Sequence, residues 1–164
     1  MIEYLFTFPV YIENIGINKS FVNRLKKIKL KKFEFNLNNY SIDEESIACK
    51  ELNNFLQEIA EKIKLDSFKI TKTWLQKYNK NNFHDCHTHD LANFSFIYYL
   101  DCTKNSSDTL FYNPLYPYYH FNQYRVKPEK GKCIVFSGAI PHAVLPNKDD
   151  KRLILSGNVN FYNE

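Results

Sequence analysis

From Phe68 to Tyr162 the chain falls into seven short segments dense in aromatic and branched aliphatic residues, and this spacing constrains the fold more than any other feature. The segments cover 68–78, 93–101, 109–113, 121–127, 132–137, 141–145 and 152–162. Turn-forming clusters divide them: Asn79 to Asn82, Asn105 to Asp108, Pro114, Lys130-Gly131 and Pro146 to Asp150. Apolar runs this short, bounded by Asn, Asp, Gly and Pro, predict β-strands. Twelve Tyr and fourteen Phe against four Gly point the same way, because aromatic side chains suit a pleated surface.

The first 66 residues read differently. Residues 1–12 form an extended segment interrupted by Pro9, which suits a sheet edge. Residues 18–31 predict a short basic helix. Ser41-Ile-Asp-Glu44 has the form of a capping box, followed at helical spacing by Ile47, Leu52, Phe55, Leu56, Ile59 and Ile63. A helix from Ser41 to about Leu65 that covers a sheet is therefore expected. Helices first and strands afterwards define a mainly β domain with N-terminal helices, a helix-backed sandwich or jelly roll. One domain over 1–164 is expected, with 1–66 as support and 67–164 as the jelly-roll core.

The charge is modest, at +4, and much of the basic charge lies in the run Arg24 to Lys32. That run reads first as a solvated face and second as a contact for an anion, so nucleic acid is not expected as a partner. Cys49, Cys86, Cys102 and Cys133 form no Cys-x-x-Cys pair and are expected to be reduced thiols of a cytoplasmic protein. No stretch reaches the roughly 18 apolar residues of a membrane span.

Three of the five histidines crowd into Phe83-His-Asp-Cys-His-Thr-His-Asp90. On a strand, residues two apart share a face, so His87 and His89 are placed to hold one metal. Read without further support, they are equally surface histidines beside a loop. A second block, Pro128 to Pro146, runs through a turn at Gly131, an apolar strand and a turn at Ser137-Gly138 to deliver His142. Alone, His142 is a core histidine with satisfied nitrogens. Arg152 opens the last apolar segment. Buried there it needs an anion, and its planar fork matches a carboxylate; otherwise it marks an exposed strand end behind Asp149, Asp150 and Lys151.

Together these pieces resemble the iron(II)- and 2-oxoglutarate-dependent oxygenases, in particular a compact group common in bacteria and phages. The resemblance runs from Leu5-Phe-Thr-Phe-Pro-Val-Tyr11 through Thr73-Trp74, Phe83 to His89, Ser95 to Leu100 and Leu110 to Pro114, and ends with the Pro128–Pro146 block and Arg152. It implies a double-stranded β-helix, the cupin-like jelly roll. It also implies Fe(II), O2 and 2-oxoglutarate, with ascorbate as an optional reductant. His87, His89 and His142 then take the metal, and Arg152 takes the distal carboxylate of 2-oxoglutarate with help from Tyr99 or Ser156. Trp74 and Tyr78 line the pocket or serve as core aromatics.

The family's usual ligand set is His-x-Asp/Glu with a distant His. Here His89 stands at the acidic place, and Asp90 and Asp85 are the alternatives to it. A strand shifted by one residue turns its side chains to the other face, so Asp90 reaches the metal only if the strand has ended. The implied activity is hydroxylation of a small-molecule or peptidyl substrate, prolyl by default. The other readings are a three-His dioxygenase without 2-oxoglutarate and an inactive jelly-roll binding protein. The aromatic stretch Tyr112 to Tyr124, with His120, is either a substrate lid or barrel rim, and a homodimer is left open.

Overall fold

A computed structural model describes residues 8–27, 38–41, 49–89, 92–115 and 123–163. In chain order the elements are β1 (Val10–Asn14), α1 (Lys19–Lys27), β2 (Asn38–Ser41), α2 (Lys50–Lys62), β3 (Ser67–Tyr78), β4 (His84–His87), β5 (Phe94–Asp101), β6 (Thr109–Tyr112), β7 (Gln123–Val126), β8 (Lys132–Ser137), β9 (His142–Val144) and β10 (Arg152–Tyr162). The strands form two antiparallel sheets. The major sheet has the order β1-β8-β5-β10-β3-β2 and the minor sheet the order β4-β9-β6-β7.

All seven expected strands are present within a residue or two of their expected ends. The structure adds β2 and the short β4, and β1 is an edge strand that begins directly after Pro9. Residues 1–7 lie outside the described chain.

The helices follow the expectation less closely. Helix α1 is capped by Asn18, whose Oδ1 accepts from Phe21 N at 3.0 Å. The expected capping box is not the start of α2. Ser41 belongs to β2 and pairs with Trp74, while α2 begins at Lys50 with Cys49 as its N-cap and no side-chain cap bond. The outer edge of β3 offers unpaired backbone groups, and a ladder along it satisfies more of them than one capping bond would. Glu44 and Ile47 lie outside the described residues. The apolar face of α2 is as expected: Leu52, Phe55, Leu56 and Ile59 are buried.

Strand alternation makes two cores from one sheet. Phe96, Tyr98 and Leu100 of β5, Cys133 and Val135 of β8, Leu155 and Val159 of β10, and Leu75 of β3 face the helices. Their neighbours Ile97, Tyr99, Ile134, Phe136, Ile154 and Tyr78 face inward and meet Phe111, Val126 and Val144 of the minor sheet. Because both faces are covered, the strands read as nearly continuous apolar runs. Gly131 turns the chain into β8 at φ +87°, where an added Cβ would lie 2.5 Å from Asn14 Oδ1.

Candidate metal and co-substrate site

The site occupies the space between the sheets. The pairing of β4 with β9 sets His87 opposite His142, and the pairing of β9 with β6 sets Phe111 on the other side of His142. The ligating nitrogens of His87, His89 and His142 all lie within 4.8 Å of one another. Two of the rings are oriented by the backbone. His142 Nδ1 lies 3.1 Å from Ile140 O, and His87 Nδ1 lies 2.8 Å from Asp85 O. Both carbonyls are acceptors, so the ring protons sit on Nδ1 and both Nε2 lone pairs are free for a metal. Burial first, and then the neighbouring His87, push His142 down to about 3, which keeps its ring neutral, as ligation requires.

His89 arrives by another route. The expectation that His87 and His89 share one strand is not met, because β4 ends at His87. His89 instead sits on the following loop, where its backbone N donates to Gly138 O at 2.9 Å. Gly138 is required there, since a Cβ would lie 2.2 Å from Ala92 O and 2.9 Å from His89 O. His89 Nε2 then comes 3.3 Å from His142 Nε2. Two such nitrogens at this distance need either a proton or a cation between them. Ligands at the metal–nitrogen distance of about 2.1 Å are separated by roughly 3.0–3.4 Å, so the spacing suits a shared cation. Trp74 stacks on His89 with ring centroids 5.5 Å apart and planes at 24°.

Among the alternatives, Asp85 is exposed and contributes its carbonyl rather than its carboxylate, while Asp90 lies outside the described residues, as does His120. Of the aromatic stretch, 116–122 also lies outside, and Tyr124 is exposed.

Arg152 marks the other end of the space. It is not an exposed strand end but, among the described residues, the largest fully buried side chain, 0% exposed. Its guanidinium lies over the Tyr78 ring at 4.4 Å and near the Tyr99 ring at 5.4 Å. Nη2 donates to Thr109 Oγ1 at 2.8 Å, and Thr109 Oγ1 shares a hydrogen with Tyr99 Oη at 2.7 Å. Among the described residues Nε and Nη1 have no partner and no carboxylate is within ion-pair distance. Each orphaned donor costs on the order of 1–3 kcal/mol, and a buried unpaired charge costs more. A carboxylate received by this fork would satisfy both donors, so the residues present fit the distal carboxylate of 2-oxoglutarate.

The three histidines open onto a narrow pocket of about 20 Å³ lined by Trp74, Gln76, Tyr78, His84, Ile97, Ile154 and Ser156, and Arg152 lies against the Tyr78 ring outside that lining. A wider groove is lined by Lys26, Lys77, Asp101, Asp150 and Arg152, and Arg152 is nonetheless 0% exposed. Thr109, Gln76 and His84 were not singled out as site residues from the sequence. The only signal for the first two is a polar residue at an inward register of an apolar strand.

A jelly roll with converging imidazoles at one end and a buried unpaired arginine at the other defines the class of the double-stranded β-helix oxygenases. The chain belongs to the 2OG-Fe(II) oxygenase family, since the family described as "Putative 2OG-Fe(II) oxygenase" matches residues 72–158. No curated protein sequence matches the chain. Among solved structures, an oxidoreductase of the 2OG-Fe(II) oxygenase family from Burkholderia pseudomallei superposes with a TM-score of 0.70 at 13% identity, covering 94% of this chain and 86% of that one. The viral collagen prolyl hydroxylase of Paramecium bursaria Chlorella virus 1, in complex with 2OG, gives 0.68 at 14% identity, covering 94% and 96%. A prolyl-4-hydroxylase from Pseudomonas putida gives 0.63 at 17% identity, covering 96% and 94%. At these identities the likeness is one of fold. No helix among the described residues is long and apolar enough to cross a membrane.

Proposed function

We propose that this protein is an iron(II)/2-oxoglutarate-dependent hydroxylase acting on a small-molecule or peptidyl substrate. The observation that carries the proposal is the buried guanidinium of Arg152, with two donors left over and no carboxylate of its own among the described residues. His87, His89 and His142 would hold the metal, and Arg152 and Thr109, braced by Tyr99, would hold the distal carboxylate. When bound, iron and 2-oxoglutarate supply an oxidative decarboxylation in which one oxygen atom of O2 enters succinate and the other enters a substrate C–H bond, with release of carbon dioxide.

The protein's own contribution is geometric and electrostatic. The carbonyls of Ile140 and Asp85 hold the proton of each ring on Nδ1, so His142 and His87 present lone pairs without reorganising. Trp74 stacks on His89 and limits rotation of that ring. Ile97, Ile154, Val144 and Phe136 keep the space between the two ends apolar, which strengthens the attraction between Arg152 and an anion and excludes water. A prolyl substrate is the reading favoured by two of the neighbouring folds, both prolyl hydroxylases.

Succinate release from 2-oxoglutarate in the presence of Fe(II) and O2 tests the proposal. Arg152→Ala is expected to weaken 2-oxoglutarate binding at least a hundredfold, in line with truncating one partner of a buried charge pair. If turnover and affinity survive that change, the co-substrate reading fails. Metal-dependent oxidation without 2-oxoglutarate would point to the three-His dioxygenase chemistry instead.

A further inference from the structure

The loop that leads into β10 carries a buried amide that belongs to neither end of the site. Asn147 is 1% exposed, although it lies in the turn-forming cluster Pro146 to Asp150. Its side chain meets a main-chain N–H, main-chain carbonyls and a carboxylate, so each partner has one possible role. Ser107 N donates to Oδ1 at 2.9 Å. Nδ2 donates to Tyr78 O at 3.4 Å, to Asp149 O and, at 3.3 Å, to Asp149 Oδ1. An N–H cannot accept and a carbonyl cannot donate, which fixes the orientation of the amide. The main chain of Asn147 is tied to the turn after β3: its N donates to Asn82 O at 2.8 Å, and Asn81 N donates to its O at 2.7 Å. A turn needs only the bonds to Asp149, inside its own loop. The bonds to Tyr78, Ser107 and the turn at 81–82 leave that loop, and they join the segments that surround the Arg152 guanidinium. Tyr78 supplies the ring beneath it and is the partner of Arg152 in the β3–β10 ladder. Thr109, which accepts from Nη2, lies two residues beyond Ser107, and Asp149 lies three residues before Arg152 itself.

We propose that Asn147 is a positioning residue: it sets the placement of the Arg152 fork by fixing Tyr78, Thr109 and the start of β10 relative to one another. The inference rests on the function proposed above. A fork that is to meet a carboxylate with two donors has to be held to within about half an ångström, and the long arginine side chain does not supply that by itself. Asparagine suits the place because one short planar group carries two donors and an acceptor. Aspartate would keep the acceptor for Ser107 N and lose both donors, and serine would offer one hydroxyl on a shorter arm. Selection by chain length follows. On the proposed function a diacid is held at the metal by one end and at Arg152 by the other, so a fork fixed in place selects one length, and a fork released from its ties accepts a longer one.

The test is titration of 2-oxoglutarate, and in parallel of the longer diacid 2-oxoadipate, into the metal-loaded protein without oxygen, with metal affinity and thermal unfolding measured on the same samples. Asn147→Asp and Asn147→Ser are expected to weaken 2-oxoglutarate binding about tenfold at unchanged metal affinity, and to move the preference for 2-oxoglutarate over 2-oxoadipate toward parity. Leu56→Ala, which lowers stability from the helix side, should keep the wild-type affinity and preference, so that loss of stability alone does not account for the effect. If both Asn147 variants keep the wild-type preference while Arg152→Ala loses 2-oxoglutarate binding, the positioning role is wrong and the proposed function stands. If affinity for metal and for 2-oxoglutarate fall together, or if neither variant folds, Asn147 serves the fold as a whole and the inference is overturned. If the metal-loaded wild type binds no 2-oxoglutarate, the proposed function falls and this inference falls with it.

Discussion

The two cores on either side of the major sheet are built to opposite standards. The one under the helices is largely apolar: Phe21, Leu25, Leu52, Phe55, Leu56, Ile59, Phe96 and Leu155 fill it, and the Tyr98 hydroxyl within it is satisfied by donating to Gly16 O at 2.7 Å. The one between the sheets encloses Arg152, His142, Gln76, Thr109 and Ser156 among its apolar residues, and part of their hydrogen-bonding capacity is left open. Each well-buried apolar side chain on the helix side stabilises the fold by roughly 1.5–3 kcal/mol. Each unpartnered donor on the inner side subtracts from that. The same strands serve both faces by alternation, so the stability that the helices supply carries a binding cavity one residue out of phase with it.

That division can be broken most severely at Leu56, which is 0% exposed beneath α2. Leu56→Ala should lower unfolding stability by about 2–5 kcal/mol in denaturant melts. Metal bound per folded molecule should be unchanged, and a matching loss of metal affinity would mean that the two cores are not separable.

Gly138→Ala strikes the inner side. The new Cβ would meet the carbonyls of Ala92 and His89, so the loop that carries His89 must move. The expected result is a metal affinity reduced about tenfold, with a stability cost of about 1–3 kcal/mol.

The smallest effect belongs to Asp101, on the helix side. Burial raises its carboxyl, but the hydrogen bond and charge of Lys130, at 2.7 Å, and of Lys26, at 3.4 Å, outweigh that and hold it below the usual carboxylate range. A lowered folded value means stability that is present above the unfolded value near pH 4 and lost as pH falls through the folded one. Asp101→Asn should therefore cost under about 1 kcal/mol at pH 7, given the partial exposure of the pair, and the difference from wild type should vanish in acid.

Most of the strand positions were legible because length, turn chemistry and aromatic density agree over 68–162. The helix start was not. Ser41-Ile-Asp-Glu44 satisfies a local capping pattern, but Ser41 answers to the unpaired edge of β3, a tertiary demand that no local pattern records. In the site, His142 and Arg152 were readable as polar residues set into apolar segments. His89 was named for a reason that does not hold, since it is delivered by a loop bonded to Gly138 and not by continuation of the strand that ends at His87. Gln76, Thr109 and His84 were passed over because a polar residue on a strand reads as a solvent-facing one until the second sheet is in place to cover it.

The way His89 is held has a consequence for how this scaffold can be altered. Its position is set by main-chain contacts with Gly138, whereas the other two rings are set by the ladder between β4 and β9. The chain path at 89 is thus held by backbone atoms as well as by what its side chain touches. On the proposed function, position 89 would be a replaceable socket: a carboxylate, an imidazole or nothing at all could be presented there by one substitution without re-registering a strand, which would retune the charge of the centre while the architecture stays as it is.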